Sequence, residues 1–217
     1  MVKTTNCPNC NELLKTGWAS NQLVSETKTN FINYLLKKEA ESYCDKCSST
    51  LLKDAKHVFD REKDLHVQTL NKKINAIPIL STHTPYGWDY TSLSIVTGQT
   101  VTGTGVISEF KSDISDFFGG QSSSFNKKLA DGEQMCFSQL RAKTLQLGGN
   151  AIIATDIDYG EAGAGKGMLM VCAAGTAIKV NNTEIFGNKA EEIKELIKAQ
   201  KRLEELNNFA SEHGGLL

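Results

Sequence analysis

Prolines number three and histidines four in 217 residues, and the formal net charge is only −1. Each scarcity excludes something. So few prolines, with no low-complexity tract, leave no extended or disordered linker to describe. A near-zero charge gives no basic footprint for nucleic acid or an anionic membrane. No apolar window approaches the length of a membrane span, and the start MVKTTNCPNC lacks the apolar run of a signal peptide. His57 and His66 are nine residues apart on different sides of a candidate helix, and none lies between His83 and His213. No Ser/His/Asp or Cys/His constellation can be assembled. With 40% hydrophobic and 23% charged residues the balance is globular, so the expectation is a cytoplasmic protein with reduced thiols.

Against this background the six cysteines stand out, because four fall into two Cys-x-x-Cys pairs, Cys7-Pro-Asn-Cys10 and Cys44-Asp-Lys-Cys47. Such a turn sets two thiolates one metal ion apart, and two turns complete the tetrahedral sulfur cage of structural zinc. Pro8 stiffens the first turn. A closed cage leaves no position for water or substrate, which argues for a folding staple. Disulfides would need an oxidising compartment, and a thioredoxin-like redox site would use one pair at a helix start. Zinc is the favoured reading, one ion per chain. The 33 residues between the pairs exceed a usual ribbon insert and must carry an element of their own.

Residues 1–50 therefore read as a zinc ribbon with a helical insert. Phe31, Tyr34, Leu35 and Leu36, with Lys37 and Lys38, form a short amphipathic stretch, and Trp18 and Leu23 are expected to pack on it. Residues 51–75 read as a linking helix, with Ala55, Val58, Phe59, Leu65 and Leu70 among charged neighbours and no sustained heptad. Residues 76–182 read as an α+β domain. Ala76 to Ser81 favours strand, His83 to Asp89 is a turn cluster, and Ser92 to Val96 and Val101 to Ile107 are β-rich. Gly98, Gly103 and Gly105 punctuate them as turns or bulges, and Phe110 to Phe118 is apolar. Ser122 is the candidate N-cap of a long helix carrying Phe125, Leu129, Gly132, Cys136, Leu140, Lys143 and Leu147, which Gly148 stops. Ala151 to Tyr159 and Met168 to Val180 are strands, the second expected to bulge at Gly175. Cys136 and Cys172 are expected in the core. Residues 183–217 form a C-terminal amphipathic helix opening at Asn188, with Ile193, Leu196, Ile197, Leu203, Leu206 and Ala210 on one face.

Two features imitate chemistry. Gly160-Glu-Ala-Gly-Ala-Gly165-Lys166-Gly167 has the Gly-x4-Gly-Lys spacing of a P-loop. Gly167 stands where a magnesium-binding hydroxyl belongs, and a strand rather than a helix should come next, so a hairpin loop is the better reading. Asp156, Asp158 and Glu161 could form a carboxylate site, but a solvated strand face explains them as well.

From about Tyr90 to Val180 the chain resembles the YbjQ-like family, which carries a heavy-metal-binding label. The residues that match are Val96-Thr-Gly-Gln-Thr-Val-Thr-Gly, Asp116-Phe-Phe-Gly-Gly120-Gln-Ser122, Leu147-Gly-Gly-Asn-Ala151-Ile-Ile, Asp156-Ile-Asp158-Tyr159, and Gly167-Met-Leu-Met-Val171 through Ala174-Gly-Thr-Ala177. The resemblance implies a small sheet with one long packed helix, and assembly around a fivefold axis. Gln121 replaces the usual Arg, and Phe125 stands where Tyr is common. The matched region holds only Cys136 and Cys172 and no histidine, so the expected ligands, Cys7, Cys10, Cys44 and Cys47, lie outside it.

The leading expectation is a non-enzymatic zinc-containing scaffold or binding protein, a homopentamer that could meet a protein partner through its ribbons. The alternatives are a soft-metal handling or sensing protein exchanging zinc at the same cysteines, and an enzyme with an inter-subunit pocket near Asp156, Asp158 or Glu161. Nothing in the sequence demands catalysis, and no cofactor besides zinc is expected.

Overall fold

A computed structural model describes residues 5–15, 20–102, 123–162 and 168–213. The chain is α+β and divides into two compact units, residues 1–69 with 201–217, and residues 70–200. The boundaries drawn from the sequence at 50, 75 and 182 fall inside these units. Among the described residues no helix is long and apolar enough to cross a membrane.

In the first unit, helix α1 (Glu26–Leu36) starts at Ser25, whose hydroxyl accepts from the Lys28 N–H at 3.3 Å. It stops at Lys37, which takes the left-handed conformation. Helix α2 (Asp45–Lys73) begins six residues before the expected 51, so Cys47 lies in its first turn. Phe31, Leu35, Ala55, Phe59 and Leu206 form a small core there, flanked by Phe209. Phe209 stacks on Tyr34 and on His213, each at 4.2 Å between centroids. Arg202 grips Glu62 with two hydrogen bonds, 2.8 and 3.2 Å, and donates to the Tyr34 hydroxyl at 2.8 Å. Leu23, expected to pack on α1, is 39% exposed, and Trp18 lies outside the described residues.

The second unit is built on strands β1 (Tyr90–Thr102), β2 (Ala151–Ala162) and β3 (Met168–Val180), in antiparallel order β1-β3-β2. Helix α3 (Ser123–Gln146) packs across β1 and β3. Its stripe buries Cys136 and Leu140 against Val96, Val171, Ala173 and Ala177, together with Ile193 and Leu196 of helix α4 (Ala190–Glu212). The kink at Gly187 lets a helical turn begin at Asn188 and run on into α4. A 3-10 segment, Thr183–Lys189, with a positive-φ Gly187, precedes it. Ile197, placed on its apolar face from sequence, is exposed. Residues Pro78 to Thr82 run beside the outer edge of β2, with Ile152 N–H donating to Pro78 and Thr155 N–H to Leu80, each at 3.0 Å.

The Leu147-Gly-Gly-Asn motif has a physical basis in this unit. Gly148 sits at φ +77, which ends α3. A Cβ on Gly149 would lie 2.9 Å from the Ile178 carbonyl oxygen. The buried Asn150 side chain donates to the Val180 carbonyl at 2.9 Å and accepts from its N–H at 2.7 Å, extending the β3 ladder by an amide.

The glycine expectations need correction. Gly98 neither turns nor bulges. It lies within a continuous β1, where a Cβ would meet the Cys136 carbonyl oxygen at 2.5 Å, so it lets α3 approach the sheet. Gly175 does not bulge β3 either. The register shifts lie at Ser92/Ser94 in β1 and at Ile153/Asp156 in β2, where Ala154 has φ +52. Gly175 makes room for Ile152 and Thr155, whose atoms a Cβ would meet at 2.7 and 2.9 Å. Cys172 is half-buried, since it alternates away from the α3 side that takes Val171 and Ala173. Gly103, Gly105, Phe110 to Phe118, Gln121 and Ser122 lie outside the described residues, as does the Phe125 side chain.

Replacing Gly98 with Ala should destabilise the second unit by about 1–3 kcal/mol, because the methyl group meets backbone that cannot rotate away. Thermal unfolding checks this, and an unchanged midpoint would mean that α3 has slack. In the first unit the Arg202 hydrogen bonds hold Glu62 below the ordinary carboxylate range. The stability this pair adds is therefore full above the unfolded value of about 4.3 and disappears as pH falls through the lower folded value. A carbon-detected titration of Glu62 should give a midpoint below about 4.3 that moves up in Arg202→Gln.

Candidate metal centre

Two different local structures present the paired cysteines. Cys7 to Cys10 occupies a tight turn closed by Asn11 N–H to the Cys7 carbonyl at 2.9 Å and Cys7 N–H to the Glu12 carbonyl at 2.8 Å. Asn11 takes φ +59, which Asn tolerates better than most residues, and the Asn6 amide donates to its carbonyl at 3.0 Å. Cys44 and Cys47 belong to the start of α2, where the helix dipole favours negative charge. Cys44 pairs with Leu23 through an isolated bridge, and Ser48 N–H donates to its carbonyl at 2.9 Å.

The four sulfurs converge. Cys7 and Cys47 lie 3.8 Å apart, Cys10 and Cys44 3.6 Å, Cys44 and Cys47 3.8 Å, and all four fall within 4.8 Å of one another. A tetrahedron with metal–sulfur bonds of about 2.3 Å has edges of about 3.8 Å. All six cysteines are free, and the spacings are far above the roughly 2.05 Å of a disulfide. The donor set and its spacing therefore fit a zinc-sized soft ion. Cys7 and Cys44 are buried, Cys47 half-buried and Cys10 exposed.

The thiols are not equivalent. Burial opposes ionisation of Cys7, yet N–H groups of Cys10 and Asn9 outweigh it and bring its pKa down to about 6. Burial pushes Cys47 up to about 12, against hydrogen bonds that include the Asn9 amide at 3.6 Å. At Cys10 the Glu12 N–H favours the thiolate, but desolvation and the neighbouring thiols Cys7 and Cys44 raise the pKa overall. Four thiolates this close repel one another, and a dication between them removes that penalty.

Three supporting residues escaped the sequence reading. Buried Asn21 donates to the Leu13 carbonyl at 3.1 Å and accepts from the Lys46 N–H at 3.4 Å, tying the first turn to the helix start. The Asn33 amide donates to the Ala40 carbonyl at 2.8 Å and accepts from the buried Tyr43 hydroxyl at 2.6 Å, fixing the approach to Cys44. An Asn before a helix N-terminus and a lone Tyr beside a Cys carry no periodic signal, so they pass as loop residues.

The other candidates stay apart from this cluster. Asp156 and Asp158 are exposed on the sheet face opposite α3, and among the described residues they join no group of potential ligands. The Glu161 side chain and residues 163–167 lie outside the described residues. The element after the glycine loop is strand β3, not a helix. Cys136 is buried under α3, its S–H donating to the Val171 carbonyl at 3.3 Å.

Residues 78–181 match the family YbjQ_1, described as "Putative heavy-metal-binding". A UPF0145 protein of Clostridium botulinum is 37% identical over 84 residues, which are 39% of this chain and 79% of that protein. A UPF0145 protein of Listeria grayi is 40% identical over 86 residues, 40% of this chain and 81% of that one. A crystal structure of a DUF74-family protein of unknown function from Pediococcus pentosaceus covers 48% of this chain and 98% of its own, at 16% identity and a TM-score of 0.33.

Replacing Asn21 with Ala should cost the first unit about 1 kcal/mol, because the Leu13 carbonyl and the Lys46 N–H lose the side chain that joins them. Chemical unfolding followed by Tyr43 fluorescence checks it. A loss below about 0.5 kcal/mol, the size of an ordinary surface change, would remove Asn21 from the support of the cluster.

Proposed function

This chain belongs to the YbjQ_1 family, and on that footing we propose that it is a non-enzymatic zinc-binding scaffold protein that assembles as a homo-oligomeric ring, of five subunits by the family resemblance. One observation carries the metal: four free thiols within 4.8 Å of one another, at spacings that suit tetrahedral zinc. Cys7, Cys10, Cys44 and Cys47 hold one ion per chain. The ion supplies charge neutralisation and cross-linking, not a reactive water, because all four positions are taken by protein sulfur.

Assembly is supported by the sheet. On the face opposite α3, Ile95 is 72% exposed, Val101 51% and Met170 38%, and Val101 pairs with Met170 across the β1-β3 register. At the other end of that face Trp88, Tyr90 and Phe186 cover Ala151, Ile153, Ile178 and Val180. Among the described strands β1 is an edge, and Lys179 is the charged residue that stands opposite it in the register. Apolar surface and an open edge in one place favour a partner, and a ring closes both without leaving a free end. A ring would also present several zinc modules together and multiply a weak contact with a protein partner. Near-neutral net charge argues against nucleic acid, and free thiols suit a reducing compartment such as the cytoplasm.

A second reading, soft-metal handling, is favoured by the exposure of Cys10. An enzyme draws no support from Asp156 and Asp158, which face solvent singly.

Native mass spectrometry of the full chain tests metal and assembly together. The expected result is a multiple of 23.7 kDa, five by preference, with one zinc per subunit. A folded protein holding less than half an equivalent of metal would overturn the zinc site. A mass of one chain at low micromolar concentration would overturn the ring.

A further inference from the structure

We propose that Cys10 is the exchange position of the sulfur cage, the one ligand through which metal ions pass and thiol-reactive electrophiles strike. The inference rests on metal binding at the four cysteines and names how that site is regulated. A four-coordinate zinc has no vacant position, so an ion can leave only after one thiolate lets go or an incoming ligand displaces it. The weakest point is the ligand with the greatest access. Cys7 is 2% exposed and Cys44 0%, so neither admits a reagent without unfolding of its surroundings. Cys47 is half-buried in the first turn of α2, and the Asn9 amide lies 3.6 Å from its sulfur. Cys10 is exposed, on the solvent side of the turn that the left-handed Asn11 closes. The fold thus holds three ligands firmly and offers the fourth.

The position also explains how release need not unfold the module. Cys7 stays tied through its N–H and carbonyl to Glu12 and Asn11, and Cys44 through Leu23 and Ser48. Loss of the Cys10 bond leaves three converging sulfurs in place. A strong soft-metal competitor could then take the open coordination position, which would make this cage responsive to soft metals or to electrophiles.

The test uses the full chain in a Cys172→Ser background, so that the half-buried thiol elsewhere does not consume reagent. The zinc-loaded protein receives substoichiometric N-ethylmaleimide in the presence of a chromogenic zinc chelator. A cysteine sulfur forms a bond to one alkene carbon of the maleimide, the π bond breaks, and the other carbon takes a proton from water. The zinc–sulfur bond is lost and the ion passes to the chelator. Peptide mapping by mass spectrometry should find adducts at Cys10 at least tenfold ahead of those at Cys7, Cys44 and Cys47, with zinc release tracking the Cys10 adduct. In Cys10→Ser the fast phase of alkylation should vanish while zinc is still held by three thiolates. No bound zinc before reagent is added would overturn the metal site and this inference together. Bound zinc with first adducts at Cys7 or Cys44, equal rates at all four, or a fast phase that survives in Cys10→Ser would overturn the exchange position alone.

Discussion

Mutual repulsion among four sulfurs is the constraint on which the first unit depends. The chain brings Cys10 and Cys44 to 3.6 Å across 33 intervening residues, a closure that small apolar clusters support only weakly. Phe31, Leu35, Ala55, Phe59 and Leu206 form a core of five buried residues. A dication at the centre would turn the repulsion into the strongest local attraction, on the order of 10 kcal/mol in zinc-finger peptides. The polar contacts around it, Asn21 between Leu13 and Lys46 and Asn33 between Ala40 and Tyr43, then hold the two halves at the spacing the ion needs. They are worth about 1 kcal/mol each and position the cage without being able to create it.

The second unit obeys a different logic, that of close packing. Its helix approaches the sheet because glycine stands at both contact points. A Cβ at Gly98 would enter the Cys136 backbone, and one at Gly132 would lie 2.9 Å from Val171. Nothing here asks for a metal. The same approach buries one face of the sheet so well that the chemistry of the unit is left to the other face, where Ile95, Val101 and Met170 meet solvent beside Asp156 and Asp158. Lys73 and Glu195 add an ion pair at the unit's surface, a small term beside the packing.

The features legible in the sequence and those concealed in it divide along physical lines. The paired cysteines, the middle of the α3 stripe at Cys136 and Leu140, the stop at Gly148, and the strands β2 and β3 were legible because spacing or periodicity encodes them, whereas Leu147, placed on that stripe, is exposed and Leu145 is buried instead. The start of α2 at Asp45 was not legible, because Asp45-Lys-Cys-Ser has no apolar period. Gly98 and Gly175 were misread as punctuation because a glycine that makes room for a neighbour looks in sequence like one that turns the chain. Only the packing partner, Cys136 in one case and Ile152 in the other, distinguishes them. Asn21 and Asn33 were invisible for a similar reason, since a bridging amide is defined by the groups at each end of it.

The family label and the chemistry of this chain point to different places, and geometry separates them. The match covers residues 78–181, which contain two cysteines. Cys136 lies under α3 with its S–H on the Val171 carbonyl, and Cys172 sits on β3 between Val171 and Ala173, which both turn to the α3 side. Alternation along the strand therefore sends Cys172 to the opposite face of the sheet. Two thiols on opposite faces cannot share an ion, and among the described residues neither joins a group of three potential ligands. A soft ion bound by this chain has its matching donors 31 or more residues before the matched region, at Cys7 to Cys47. On the function proposed above, the matched region would supply surface for assembly and the cysteine module affinity for metal. Removing the module should then abolish metal uptake and leave subunit count unchanged.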